Sequence, residues 1–173
     1  MSKKQKIVIS VYADDHPGIL KVLSDTALEH KANWLDSSLS HLCGHFAGLV
    51  QLEISSEHKS KLIDAFEALA TQGIQASVRP TGTTPTPDIR KTVELYVEAN
   101  DRPGIVEEIA STLSARNINI EQLESWRESA SMAGYQLFIA QLAVSLPNDM
   151  DVEQLETALE AVSNDLIVSL NID

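Results

Sequence analysis

Asp14-Asp15-His16-Pro17-Gly18-Ile19 and, 86 residues later, Asn100-Asp101-Arg102-Pro103-Gly104-Ile105 are two versions of one phrase. Extending the match outward aligns Lys6–Asn33 with Thr92–Asn119 without a gap, and eight of the 28 positions are identical. They are Val11/Val97, Ala13/Ala99, Asp15/Asp101, Pro17/Pro103, Gly18/Gly104, Ile19/Ile105, Thr26/Thr112 and Asn33/Asn119. Chance at ordinary residue frequencies gives about two. Several mismatches keep the physics, among them Ile7/Val93, Ile9/Leu95 and Leu23/Ile109. The chain is therefore read as two copies of one unit of roughly 75–80 residues.

Each copy declares its elements by period. Ile7, Ile9, Val11 and Ala13 alternate with Val8, Ser10 and Tyr12, and Val93, Leu95, Val97 and Ala99 do the same against Glu94, Tyr96 and Glu98, as strands require. Pro-Gly ends each strand. Proline suits the first turn of a helix, and Asp15 and Asp101, two residues earlier, stand where a carboxylate can cap free N–H groups. Helical spacing follows in Ile19, Leu20, Leu23 and Ala27, and in Ile105, Ile109 and Leu113. A second strand opens at Asn33 and Asn119, although alternation breaks between Ile120 and Glu128. Phe46, Val50, Leu52 and Ile54 mark a third strand after a turn at Gly44, and Tyr135–Ser145 marks its counterpart. Leu62, Ile63, Phe66, Leu69 and Ala70 predict a helix ended by Gly73, matched by Val152, Leu155, Leu159 and Val162. Ile74, Ala76 and Val78, and Leu166, Val168, Leu170 and Ile172, predict the last strands. The order βαββαβ, twice, predicts an α+β chain of two ferredoxin-like domains, each an antiparallel sheet with helices on one face. The boundaries expected are 1–80, a stiff Pro/Thr-rich linker over 81–90, and 91–173.

Composition narrows the function. The 173 residues are 43% hydrophobic and 22% charged, an ordinary globular balance. No stretch approaches the roughly 20 apolar residues of a membrane span, and Met1–Lys6 runs straight into a strand without an apolar leader. With Cys43 as the single cysteine, a disulfide framework is excluded and a cytoplasmic setting is expected. Net charge is −12. Residues 1–80 hold 8 basic and 9 acidic side chains, or −1, whereas residues 81–173 hold 5 and 16, or −11. Such a chain repels phosphate backbones, so direct nucleic-acid binding is not expected.

Catalytic chemistry is missing from the pattern. No phosphate-binding glycine loop, nucleophile elbow or zincin motif occurs. His41, Cys43 and His45 alternate, so one strand face could present three metal ligands, but the same residues read as a strand end and turn, and the second copy has no equivalent. His16 is matched by Arg102, which argues against a shared catalytic role. Glu121, Glu124, Glu128, Asp149, Asp151, Glu153 and Glu156 lack a calcium-loop spacing and read as a solvated face. Trp34 and Trp126 read as core or interface. The expectation is no catalytic residue, no metal and no cofactor.

The repeated turn is the place for a ligand. Gly18 and Gly104 lack a Cβ and allow close approach, a helix N-terminus attracts a carboxylate, and Asp15 or Asp101 suits an ammonium. Asn33 and Asn119 offer amide donors and acceptors. A zwitterionic amino acid would satisfy such a set. Plain helix capping and a tight turn explain the same residues equally well.

Two βαββαβ units, each with D-x-P-G-I after the first strand and an asparagine opening the second, resemble ACT domains over about residues 6–80 and 91–173. A tandem pair with no other domain most resembles the glycine cleavage system transcriptional repressor family. The resemblance implies a non-enzymatic sensor that binds an amino acid, with glycine as the effector, between the turn of one unit and a neighbouring unit. By position it assigns Asp15, Gly18, Asn33, Asp101, Gly104 and Asn119 to ligand contact. Amino-acid-binding members with asparagine where Asp15 and Asp101 stand have a donor that this chain lacks. The resemblance further implies regulation through a protein partner, a LysR-type activator, without direct contact to DNA. Two alternatives stand beside it: a ligand-independent interaction module whose acidic second half docks a basic partner, and a detached regulatory subunit of an amino-acid metabolic enzyme. Open strand edges could join two chains into a homodimer, and outward Val8, Tyr12 and Tyr96 leave the open sheet face partly apolar.

Overall fold

A computed structural model of the chain describes residues 3–81, 90–129, 134–162 and 165–171. The chain divides into two compact units, Met1–Thr84 and Pro85–Asp173. Most of the expected linker therefore lies outside the described residues.

In the first unit the order is β1 (Lys4–Asp14), α1 (Ile19–Glu29), β2 (Asn33–Leu42), β3 (His45–Ser55), α2 (Lys59–Ala68) and β4 (Ile74–Pro80). The second repeats it with β5 (Lys91–Asn100), α3 (Ile105–Ser114), β6 (Asn119–Ser129), β7 (Gln136–Leu146), α4 (Val152–Glu160) and β8 (Ile167–Asn171). Each sheet has four strands, ordered β2-β3-β1-β4 and β6-β7-β5-β8, with every pairing antiparallel. This is the ferredoxin-like arrangement, twice.

The alternation places Ile7, Ile9, Val11 and Ala13 on the face that meets Ile19, Leu23, Leu62 and Phe66, and all eight are buried. In the second unit Val93, Leu95, Val97 and Ala99 meet Ile105, Ile109, Leu155 and Leu159 in a separate core. Each fully buried aliphatic side chain there contributes about 1.5–3 kcal/mol of transfer free energy.

Several local expectations are corrected. Leu69 and Ala70 belong to a 3-10 turn, Leu69–Gln72, which tightens the end of α2 before Gly73 turns left-handed at φ 81°. The prolines stand one residue ahead of the N-cap, because the N-caps of α1 and α3 are Gly18 and Gly104. Val162 lies past the end of α4, and Ile172 lies outside the described residues. The break in alternation after Ile120 is a β-bulge between Ile120 and Gln122, and the first unit has one at the equivalent place, between Trp34 and Asp36. Asp151, read as part of a solvated face, is the N-cap of α4: its carboxylate accepts the Val152 N–H at 2.6 Å, and Gln154 Oε1 accepts the Asp151 N–H at 3.2 Å.

Candidate functional site: the strand-to-helix turns

The turn after β1 is built by backbone geometry that the sequence only hinted at. Gly18 stands at φ 105° and Gly104 at φ 100°, where a side chain is strained whatever the space around it. Neither helix has a side-chain cap. The capping role expected of Asp15 and Asp101 is thus not realised. Their backbone N–H groups instead donate to Gly44 O and Gln136 O, both at 2.8 Å, which ties each turn to the neighbouring hairpin.

Their carboxylates face side chains of the edge strands. Asp15 Oδ2 lies 3.6 Å from His41 Nε2, and Asp101 Oδ2 lies 3.2 Å from Arg127 Nη1. His41 and Arg127 are level with Ala13 and Ala99 at the ends of β1 and β5. They hold the same place in the two copies, at the offset of 86 that aligns the turns. Sequence reading missed this pair of partners, although carrying the ungapped alignment eight residues past Asn33 would have found it.

The first turn has more histidine around it. His45 stacks on Tyr12 with ring centroids 5.3 Å apart, its Nδ1 lies 3.0 Å from the Tyr12 hydroxyl and 3.3 Å from Asp14 Oδ1. His41 Nε2 also accepts the Gly44 N–H at 3.3 Å. Cys43 and Gly44, at φ 51° and 81°, form the two-residue tip of the β2–β3 hairpin, as a type I′ turn requires. The tip sends His41 to Asp15 and His45 to Tyr12, so the strand-end-and-turn reading of these residues describes what is seen. Among the described residues no group of three or more His, Cys, Asp or Glu is placed to hold a metal ion.

The asparagines are elsewhere. Asn33 and Lys6 both pair with Glu53, whereas Leu42 and Asp14 both pair with His45. Asn33 is therefore at the opposite end of the sheet from Asp15 and Gly18, roughly 27 Å along the strand at 3.3 Å per residue. Asn119, level with Thr92, is placed likewise. The reason is topological: the helix carries the chain back before the second strand begins. Asn119 Nδ2 donates to Glu121 Oε1 at 2.8 Å, and the largely buried Ser145 hydroxyl donates to the same oxygen at 2.7 Å. These two bonds hold the Glu121 carboxyl below its usual range.

The two turns differ in charge. The first turn of α1 has no acidic residue, and a Cβ built on Gly18 meets nothing within 4 Å. The first turn of α3 carries Glu107 and Glu108, and Arg102 grips Glu108 through two parallel bonds of 2.6 Å. Arg102 Nε also lies 4.0 Å from Asp165 Oδ2. The Arg102 hydrogen bonds hold the Glu108 carboxyl below its usual range and keep the guanidinium charged. A carboxyl lowered in the folded state adds stability above its unfolded value, and that stability is lost as the pH falls through the folded value. Glu108→Gln is therefore expected to lower the thermal midpoint of the second domain at neutral pH. The gap from the parent should close below about pH 4, in the carboxylate range. A gap that persists at pH 2.5 to 3 (about where carboxyls are protonated) would show that shape, not charge, matters at this position.

Shallow depressions around Arg116, Gln154 and Met150 open to solvent at the far end of α3, away from the Gly104 turn. No described helix is long and apolar enough to cross a membrane.

Family profiles described as ACT domain match residues 5–79 and 93–164. The chain belongs to the ACT domain family. It carries two ACT domains in tandem, and the D-x-P-G turn is the loop between the first strand and first helix of each. Glycine cleavage system transcriptional repressors of Escherichia coli (strain K12) and Shigella flexneri are both 24% identical over 168 residues, covering 96% of this chain and 88% of the relative. A crystal structure of an unknown protein from Galdieria sulphuraria superposes with a TM-score of 0.84 at 31% identity, covering 98% of each chain. A second crystal structure, of a protein provisionally described as a glycine cleavage system transcriptional repressor, superposes at 0.71 with 22% identity and 98% of each chain covered. The fold is thus shared over 98% of both solved structures.

Proposed function

We propose that this chain is a non-enzymatic regulator that senses a small amino acid, glycine first among candidates, and acts through a protein partner. The observation that carries this reading is the open, uncapped turn at Gly18, set in an ACT domain. A ligand carboxylate there meets the free N–H groups that begin α1, and Asp15, beside it, offers an anion to the ammonium. A ligand at Gly18 lies beyond the reach of Asn33 in the same domain. The 24%-identical repressors support transcriptional regulation as the output, and the net charge of −12 supports reaching DNA through a partner, with a LysR-type activator as the candidate.

Calorimetric titration of the full chain with glycine and then the other amino acids, to millimolar concentration, is expected to give saturable heat. Silence across that panel would overturn the sensing role. Gly18→Val fills the approach space and is expected to weaken binding by at least about tenfold, or 1.4 kcal/mol, with circular dichroism to check that the domain remains folded. Capture from extract with and without glycine then tests the output. Glycine-dependent recovery of a transcription activator supports the proposal, recovery of a metabolic enzyme points to a detached regulatory subunit, and capture indifferent to glycine favours the interaction module.

A further inference from the structure

We infer that the effector binds at the first turn only, because the second turn is filled by the chain's own Glu108. This rests on the reading that the strand-to-helix turn is the ligand site. A free amino acid would present that turn with a carboxylate and an ammonium, and at the second turn the chain already supplies both kinds of charge. The Glu108 carboxylate takes the two-point guanidinium grip of Arg102, at 2.6 and 2.6 Å, which is the strongest way a protein holds a carboxylate. Its Oε1 lies 3.8 Å from the point where a Cβ on residue 104 would stand. The carboxylate therefore sits over the bare backbone that a guest would approach. Glu107, beside it, adds a second negative charge to the same helix turn and repels an incoming carboxylate. Asp101, the anion that an ammonium would seek, is held by Arg127 at 3.2 Å.

The first turn answers none of these demands from inside to the same degree. At the aligned positions, Glu107 is replaced by Lys21, Glu108 by Val22, Arg102 by His16 and Arg127 by His41. Lys21 is turned to Asp25 along the helix, His16 Nδ1 contacts its neighbour's Pro17 carbonyl at 3.1 Å, and His41 stands off Asp15 at 3.6 Å. The space above Gly18 is open. Duplication has left one turn receptive and converted the other into a closed ion-pair cluster.

The test uses the full chain labelled with nitrogen-15 and titrated with glycine, alanine and serine. Calorimetry counts equivalents, and the backbone amides of Gly18 and Gly104 report which turn responds. One equivalent is expected, with the Gly18 amide shifting and the Gly104 amide still. In Glu108→Ala, which empties the space over Gly104 and removes the two-point partner of Arg102, a second equivalent and a Gly104 shift are expected. Two equivalents in the parent chain, a Gly104 shift in the parent, or an unchanged count in Glu108→Ala would each overturn the one-turn assignment and leave the turn as the ligand site. No binding by any of the three amino acids would instead strike the site reading itself and this inference with it.

Discussion

Gly48→Ala is expected to cost the first domain about 3 kcal/mol or more, an unusually large loss for adding one methyl group. Gly48 lies in the middle of β3, paired with Val11 of β1 and Leu39 of β2. Its φ is 155°, and a Cβ there would stand 2.0 Å from the Ser38 carbonyl oxygen and 2.8 Å from Leu39 Cα. Both are backbone atoms of a paired strand, so relief requires moving β2 and not turning a side chain. The comparison between the copies argues the opposite way. The residue that pairs with Val97 and Ser125 in the second sheet is Ala140, fully buried and accommodated. Geometry decides here, because β2 approaches closer at Gly48 than an alanine allows. Thermal unfolding should show a midpoint lower by roughly 12 °C or more for the first domain, while Ala140→Gly in the second should cost only about 1 kcal/mol. A Gly48→Ala loss below about 1 kcal/mol would mean that β2 yields easily along that stretch.

Phe66→Ala should do comparable damage by the reverse mechanism, a loss of about 3–5 kcal/mol from an emptied core. Phe66 is 1% exposed and projects from α2 among the side chains of the first core. Single domains hold about 5–15 kcal/mol in all, so this one change removes a large share of what keeps the first domain folded. The second domain has its own core, built from residues between Val93 and Val168. Urea unfolding followed residue by residue should move the first domain's midpoint and leave the amides of that second core on their original curve. A common shift in both would show that the domains unfold as one unit.

What the sequence made legible is what local physics controls. Alternation in Ile7–Ala13 and Val93–Ala99 located the central strands, because one face of each had to be buried. The repeated Pro-Gly phrase marked where each strand gives way to a helix. What stayed hidden depends on three-dimensional return. Asp15 and Asp101 looked like caps because they precede a helix, yet left-handed glycines occupy the N-cap positions and both carboxylates face the edge strands. Asn33 looked close to the turn because only fourteen residues separate it from Ile19, and the helix between them takes it to the other end of the sheet. Glu108 was visible in the sequence as one more acid, and only the bidentate bond to Arg102 reveals what it occupies.

The paired bulges near the start of β2 and β6 have a consequence for growth of either sheet. An outermost strand with an unbroken ladder invites any extended peptide to lie along its full length. Here the rhythm of donors and acceptors slips after Trp34 and after Ile120, so a newcomer in step with the first residues falls out of step with the rest. On this edge only the uninterrupted runs Asp36–Leu42 and Gln122–Ser129 can template one additional strand, which confines extension through β2 or β6 to the end that carries the glycine turns.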